Sequence, residues 1–265
     1  MTAKAEGETK VTVTTENGLQ SSCTVKVINP KVSLTGFVLS GNSTYKNQWV
    51  NISTEDLSAN PVMQSENTVY NAAEYVDGFV YAYSSEGALY KINLETKETV
   101  QLTETQNDFQ FIDMAYASGT NQMYAIARNR MEGTVDLLSV DLTSGEVTNL
   151  GYVIDEKYSS PYGMAVSEEG ILYMMSTAGS LFTYDIETKK STTIGSTGYT
   201  TYEQLHAMVY DRETDALYWV TRPDNLNGFV ILYVDKETGI TCELGSMDGI
   251  TTLGALYTMP NETNE

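Results

Sequence analysis

A repeat of roughly 45 residues constrains the fold of this chain more than any other feature of its sequence. An apolar segment ending in tyrosine recurs along the chain, and its tyrosines are separated by 43, 49 and 45 residues. A second apolar segment follows each of them and ends in Asp or Asn. Two columns that recur together indicate a true repeat. The aligned positions are Tyr81, Tyr124, Tyr173 and Tyr218, with Asn93, Asp141, Asp185 and Asp235.

The residue types predict that each repeat consists of strands and tight turns. Thr, Val and 19 Tyr are prominent, and these residues suit a half-buried pleated surface. Each aligned Asp or Asn can bond its own backbone and begin the turn that follows. Four short strands in a period in the mid-forties are typical of a β-propeller blade. Residues 36–260 accommodate five such blades, so we predict an all-β, five-bladed β-propeller.

The two ends of the repeat region are incomplete in complementary ways. Residues 36–64 contain a second, third and fourth strand but no first strand, whereas residues 253–259 form a lone first strand. We therefore expect the C-terminal strand to join the N-terminal blade and close the ring, which removes exposed sheet edges. A larger ring completed by further sequence is the alternative.

The first strands contain one column of small residues and one column rich in methionine. Because successive side chains point to opposite faces of a strand, we expect the methionines to pack between blades and the small column to allow close approach near the axis. The small column is Ala72, Asp113, Gly163, Ala207 and Gly254, and the next is Ala73, Met114, Met164, Met208 and Ala255.

Residues 7–27 read as two alternating strands around the turn Asn17-Gly18, whose residue types supply the positive φ values of a hairpin. The segment resembles the last two strands of bacterial Ig-like domains of group 2. The matching residues are Gly7, Thr12 to Thr15, Asn17-Gly18 and Cys23 to Val27. This resemblance implies a β-hairpin remnant of a truncated Ig-like domain in a modular bacterial surface protein. With the break at Asn29-Pro30, we place the domains at residues 1–30 and 31–265.

Charge and cysteine content exclude several classes of function. A net charge of -20, from 35 acids and 15 bases, repels nucleic acid and anionic membranes. No apolar run is long enough to span a bilayer. Cys23 and Cys242 lack metal-site spacing, so we expect two buried free thiols. The recurring Asp residues fit turns better than a calcium loop. We predict no metal, no cofactor and no membrane-embedded segment.

Candidate ligand-binding residues cluster in predicted long loops on one face of the ring. These loops join the second and third strands at residues 40–48, 127–136 and 221–228. They contain three of the four arginines in an acidic chain, and Arg with Tyr or Trp suits the recognition of carboxylates and sugars. Salt bridges between loops are the structural alternative. The predicted site is Tyr45, Trp49, Arg128, Arg130, Tyr162, His206, Arg222 and Asn225.

Catalytic motifs are not visible in the sequence. His206 is the only histidine and has no partner nucleophile motif, so we expect it to line a pocket. Retaining and inverting glycosidases need two converging carboxylates. Only Glu74 and Asp113 lie on first strands, and we expect Asp113 alone to belong to the channel-facing set. We assign no catalytic residue.

The favoured hypothesis is a non-catalytic extracellular binding or adhesion module, secreted or at the bacterial cell surface. It would recognise a glycan or protein through the long-loop face, as a monomeric module within a longer chain. Two alternatives remain open: a polysaccharide-acting glycosidase that uses propeller carboxylates, and a purely structural surface-layer scaffold. The sequence does not identify the ligand.

Overall fold

A computed structural model describes residues 6–28, 31–157, 159–223, 229–247 and 249–259, with the backbone alone for residues 201–206. The chain divides into two compact units, Met1–Lys31 and Val32–Glu265. The described residues form strands, turns and loops without any helix, and none of them forms a helix able to cross a membrane.

The first unit is a two-stranded antiparallel hairpin, β1 (Gly7–Thr14) and β2 (Gln20–Val27). Gly18 adopts a φ of 84° and donates its N–H to the carbonyl of Thr15 at 2.9 Å. Only glycine adopts such a φ without a steric cost. The predicted hairpin is therefore present, although of Asn17 and Gly18 only Gly18 adopts a positive φ.

The second unit contains five four-stranded sheets, which confirms the prediction of a five-bladed β-propeller. In chain order its strands begin with β3 (Ser33–Gly41), β4 (Gln48–Ser53), β5 (Ala59–Gln64), β6 (Tyr70–Val76), β7 (Phe79–Ser84), β8 (Leu89–Ile92), β9 (Thr99–Gln101), β10 (Phe109–Ala117), β11 (Gln122–Asn129), β12 (Val135–Val140) and β13 (Val147–Tyr152).

The remaining strands complete the propeller. They are β14 (Pro161–Val166), β15 (Leu172–Ser176), β16 (Ser180–Asp185), β17 (Lys190–Ser196), β18 (Thr201–Asp211), β19 (Ala216–Pro223), β20 (Val230–Val234), β21 (Thr241–Gly245) and β22 (Ile250–Thr258).

Blade 1 combines strands from both ends of the propeller, in the order β22-β3-β4-β5. Blades 2 to 5 are each continuous in sequence, as β6-β9, β10-β13, β14-β17 and β18-β21. In blade 1 the C-terminal strand β22 pairs antiparallel with β3, from Ile250 opposite Gly41 to Thr258 opposite Leu34. Strand β22 also lies beside the first strands of blades 2 and 5.

Methionines from the first strands pack between neighbouring blades, as predicted. Met114 lies with Ala72 and Tyr83 of blade 2. Met208 lies with Tyr173 and Met175 of blade 4. All six residues are at most 6% exposed. Each blade therefore buries an apolar sheet face against the next, and this burial supplies the hydrophobic stabilisation of the ring.

Two glycines of the small column lie where neighbouring strands approach closely. A Cβ atom at Gly254 would lie 2.5 Å from the carbonyl oxygen of Tyr70 in the adjacent blade. A Cβ atom at Gly163 would lie 3.2 Å from the Cβ of Met208. The small column thus permits the close approach expected near the axis.

The recurring acids act as turn residues. A side-chain oxygen of Asp141 accepts hydrogen bonds from the backbone N–H groups of Thr143 and Ser144 at 2.7 and 2.8 Å. Asp185 and Asp235 make the same bonds in their own blades. This geometry confirms the interpretation as turns.

Both cysteines are exposed, so the expectation of buried thiols was wrong. Cys23 lies on a two-stranded hairpin, which has no core of its own to cover it. Cys242 lies on β21, the outermost strand of blade 5, where only one neighbouring strand is present.

Substitution of the two close-contact glycines tests the blade packing. We expect Gly254→Ala to lower the free energy of unfolding by about 1–3 kcal/mol, because the added methyl meets a backbone oxygen that cannot rotate away. Gly163→Ala is the matched control and should cost less, since its nearest neighbour is a side-chain atom at a longer distance. Urea denaturation of the three proteins measures the difference. Equal stability of the two variants would contradict the geometry.

Candidate functional site

The predicted site residues that the structure describes lie at the face where second strands end and first strands begin, which we call the loop face. Arg128 pairs with Gln110 near the start of β10, and Thr221 pairs with His206 of β18. The loops are shorter than the sequence suggested. Arg128 belongs to β11, where it pairs with Gln110 of β10 and Val135 of β12. Arg222 belongs to β19, which extends to Pro223. Arg130 lies in the loop that follows β11.

Two of the predicted residues meet across a blade boundary. The Arg128 guanidinium donates a hydrogen bond to the phenol oxygen of Tyr162. Its central carbon lies 5.7 Å from the centre of the Tyr162 ring. Tyr162 is 1% exposed, and Arg128 is half-buried. The pair therefore joins the second strand of blade 3 to the first strand of blade 4 at the loop face.

The aromatic site residues predicted in blade 1 are less accessible to a ligand than expected. Trp49 is fully buried, with ring centres of Phe37, Tyr70 and Tyr257 at 5.1, 5.4 and 5.9 Å. Its side chain fills the core between blades, so it offers no surface to a ligand. Tyr45 is half-buried, and its hydroxyl donates to the carbonyl of Ala59 at 3.4 Å.

The structure describes the other predicted residues to different extents. Arg130 is exposed, and its backbone N–H bonds the carbonyl of Asp108 at 2.9 Å. Arg222 is half-buried at the end of β19. For His206 only the backbone is described, and Asn225 lies outside the described residues.

A buried carboxyl group at the axis is the most distinctive polar feature of the described residues. One oxygen of Asp113 accepts the N–H groups of Met164 and Met208, at 2.9 and 3.0 Å. The other accepts the N–H of Met114 at 3.0 Å. These donors belong to three first strands, β10, β14 and β18. Asp113 is 0% exposed and thereby links blades 3, 4 and 5.

Burial dominates the protonation of Asp113. Loss of hydration raises the pKa of this carboxyl well above its ordinary value, the three N–H groups oppose the shift, and the nearby Glu74 charge adds to it. Every hydrogen bond of the carboxyl is to backbone within the ring. Since Asp113 is sealed from solvent, it cannot supply the accessible second carboxylate that a two-acid glycosidase needs.

Glu74 lies two residues further along its own first strand than the Asp113 level. Its two carboxyl oxygens accept the N–H groups of Tyr75 at 2.8 Å and of Tyr116 at 3.4 Å. Arg212 donates to the carbonyl of Tyr116 at 3.1 Å. Burial raises the pKa of Glu74 to about 7, while the N–H group of Tyr75 and the positive charge of Arg212 oppose the shift. The backbone of Tyr116 is thus held between an acid and a base, because its N–H donates to Glu74 and its carbonyl accepts from Arg212.

A pocket of about 410 Å³ opens beside these groups, on the face opposite the loop face. We call this face, where first strands end, the exit face, and the cavity the axial pocket. Its walls come from blades 1 to 5 and include Glu74, Tyr116, Tyr210, Arg212 and Met259.

The sequence interpretation missed that Glu74 and Asp113 both face inward. Alternation places residues 72, 74 and 76 on one side of β6. Ala72 belongs to the small column that contains Asp113, so Glu74 shares the orientation of that column at a different height. Comparing positions two residues apart, rather than within one column, would have identified the axial pair. No group of three or more His, Cys, Asp or Glu residues among the described positions is arranged to hold a metal ion.

Comparisons with known proteins support the fold alone. Neither a protein-family model nor a curated protein matches the chain. A chain of the nidogen/laminin complex has 12% sequence identity and a TM-score of 0.55, covering 85% of this chain and 97% of that chain. TolB from Acinetobacter baumannii has 15% identity and a TM-score of 0.51, covering 81% of this chain and 53% of that chain. At such low identities the similarity concerns the β-propeller architecture.

Removal of the Asp113 carboxyl should destabilise the ring. In Asp113→Ala three buried N–H groups lose their acceptor, and we expect the free energy of unfolding to fall by about 2–5 kcal/mol. Asp141→Ala is the matched control: it removes an exposed acid that also accepts two N–H groups, and should cost about 1 kcal/mol. Chemical denaturation of both variants measures the two values. Similar losses would show that Asp113 is no more important than a surface turn residue.

The raised pKa of Glu74 predicts a pH dependence of stability. Between the ordinary value of 4.5 and about 7 the folded protein retains a proton that the unfolded chain has released. Stability therefore falls as pH rises through this range and levels off above it. Glu74→Gln lacks this contribution, while Asp113 remains in both proteins. Urea denaturation across the range should give converging or crossing stability curves, and parallel curves would contradict the assignment.

Proposed function

We propose that this protein is a non-catalytic binding module that recognises a glycan or a protein through its loop face. The observation that supports this most directly is the Arg128 guanidinium held against Tyr162 on a rigid scaffold, at the face where Arg130 and Arg222 also lie. A positioned guanidinium suits the recognition of carboxylate or hydroxyl groups. Its fixed position reduces the entropy lost on binding.

The proposal includes an extracellular setting, secreted or on a bacterial surface. The resemblance of residues 7–27 to the end of a bacterial Ig-like domain motivates this part, and the observed hairpin is compatible with it. We further propose that the pairing of β22 with β3 is the closure of the ring. A closed ring keeps both axial faces in a fixed geometry, as a binding platform requires.

The Arg128 to Tyr162 contact also favours a second candidate, the structural scaffold. A hydrogen bond across a blade boundary stabilises the ring whether or not a ligand is present. The two candidates differ in what the arginines do: a scaffold predicts that their removal changes stability, and a binding module predicts that it changes affinity.

A glycan array combined with acidic peptides tests the binding module. The array should include glycans with and without carboxylate-bearing sugars, because guanidinium groups bind carboxylates most strongly. We expect wild type to bind at least one class of probe. Arg128→Ala and Arg222→Ala should each weaken that binding about tenfold or more, a loss of about 1.4 kcal/mol. Lys190→Ala, which removes an exposed positive charge from β17, the outermost strand of blade 4, is the control and should bind as wild type does.

Two outcomes would contradict the proposal. Absence of binding to every glycan and acidic peptide, with all proteins folded, would leave the scaffold role. Binding that Arg128→Ala and Arg222→Ala both retain at wild-type strength would place recognition away from the loop face. Thermal unfolding of each variant separates a lost contact from a damaged fold.

A further inference from the structure

The axial pocket on the exit face has the features of a second ligand site. A ligand could bind there whether or not the loop face has its proposed function. Its volume of about 410 Å³ lies within the range of small-molecule sites. First strands and the turns that follow them form its walls. The paired strands hold these residues in place, so the pocket is formed before any ligand arrives.

Hydrogen-bonding groups of both kinds lie together in one wall of this pocket. Each carboxyl oxygen of Glu74 accepts one backbone N–H group, and a carboxylate oxygen can accept two. Arg212 uses one of its five donors on the carbonyl of Tyr116. The hydroxyl of Tyr116 donates to the side-chain oxygen of Asn121 at 3.1 Å, so the side-chain amide nitrogen of Asn121 takes no part in this bond. Acceptors and donors are therefore both offered to a bound molecule.

Aromatic and apolar groups supply the rest of the pocket surface. Tyr75 and Tyr116 are half-buried, and Tyr210 is 7% exposed. Tyr75 is stacked on Tyr257, with ring planes 13° apart, so its position is fixed by packing. Val166 and Met259 complete the apolar part. A ligand with one apolar side and several polar substituents matches such a surface.

The charges of the pocket narrow the class of ligand. Acidic side chains of Glu74, Asp77 and Glu213 repel an anion, and the whole chain carries a net charge of -20. Burial raises the pKa of Glu74 to about 7 against the opposing charge of Arg212, so this acid is only partly ionised near neutral pH and Arg212 repels an ammonium group beside it. A neutral molecule with adjacent hydroxyl groups avoids both repulsions and uses the acceptor and the donor together.

We propose that the axial pocket binds a neutral saccharide ring, with Glu74 accepting from adjacent hydroxyls, Arg212 donating to them, and the tyrosine wall contacting the apolar side of the ring. Charge-assisted hydrogen bonds to a carboxylate and a guanidinium are stronger than neutral ones. The pocket thus selects polyhydroxyl compounds over amines and acids.

Protein NMR with methyl glycosides tests this site. The probes are the methyl glycosides of glucose, mannose, galactose and N-acetylglucosamine, added to ¹⁵N-labelled protein at millimolar concentration. We expect at least one of them to shift the backbone amide signals of residues 74–78, 116–121 and 209–213. Arg212→Ala and Glu74→Gln should each weaken the effect about tenfold. Lys190→Ala, which removes an exposed positive charge from the outermost strand β17, is the control and should leave it unchanged.

Three results would overturn the proposal. The first is that no glycoside shifts these amides in folded protein. The second is that ethylammonium ion shifts them while the glycosides do not, which would make the pocket a cation site. The third is that the glycosides shift only amide signals of the loop face, which would support the proposed function and show that the axial pocket does not bind them. Thermal unfolding of each variant verifies that Arg212→Ala and Glu74→Gln retain the fold.

Discussion

The unpaired inner edges of the first strands set the constraint on which the rest of this structure depends. Each first strand pairs with a second strand on one side only, so backbone N–H groups on its other side point towards the axis. A buried N–H without an acceptor is costly. Asp113 meets this requirement for three strands at once, through bonds to Met114, Met164 and Met208. A single carboxyl thereby performs what a further strand would do in an open sheet.

The same constraint explains the small residues around the axis. Four positions of the Asp113 column are Ala or Gly, and the space that they leave admits one carboxyl group between neighbouring strands. At Gly254 even a methyl group would meet the carbonyl oxygen of Tyr70. Larger side chains at these positions would separate the first strands and lengthen the hydrogen bonds to Asp113. Packing and polar satisfaction are therefore coupled at the centre of the ring.

Much of the fold could be predicted because the signals are local and repeated. The tyrosine and aspartate columns identified four blades, the complementary ends of the repeat region indicated the fifth, and the Asp141 turn followed from its residue type. The site was harder to predict, because it depends on side-chain direction across blades. Trp49 was expected at the surface but packs on Phe37 and Tyr70, since its strand position faces the neighbouring blade. Arg128 was assigned to a loop, yet strand pairing continues past it.

The two faces of the ring differ because their chemistry comes from different parts of the repeat. On the loop face, arginines at the ends of second strands bring positive charge to an acidic protein. On the exit face, Glu74 lies two residues beyond the Asp113 level, and its negative charge adds to the rise in the pKa of the buried Asp113. Placing a second acid at the Asp113 level would bring two desolvated carboxyls together. Displacing Glu74 towards the exit face instead puts it beside Arg212 and partial solvent, where an acid can be ionised and can contact a ligand.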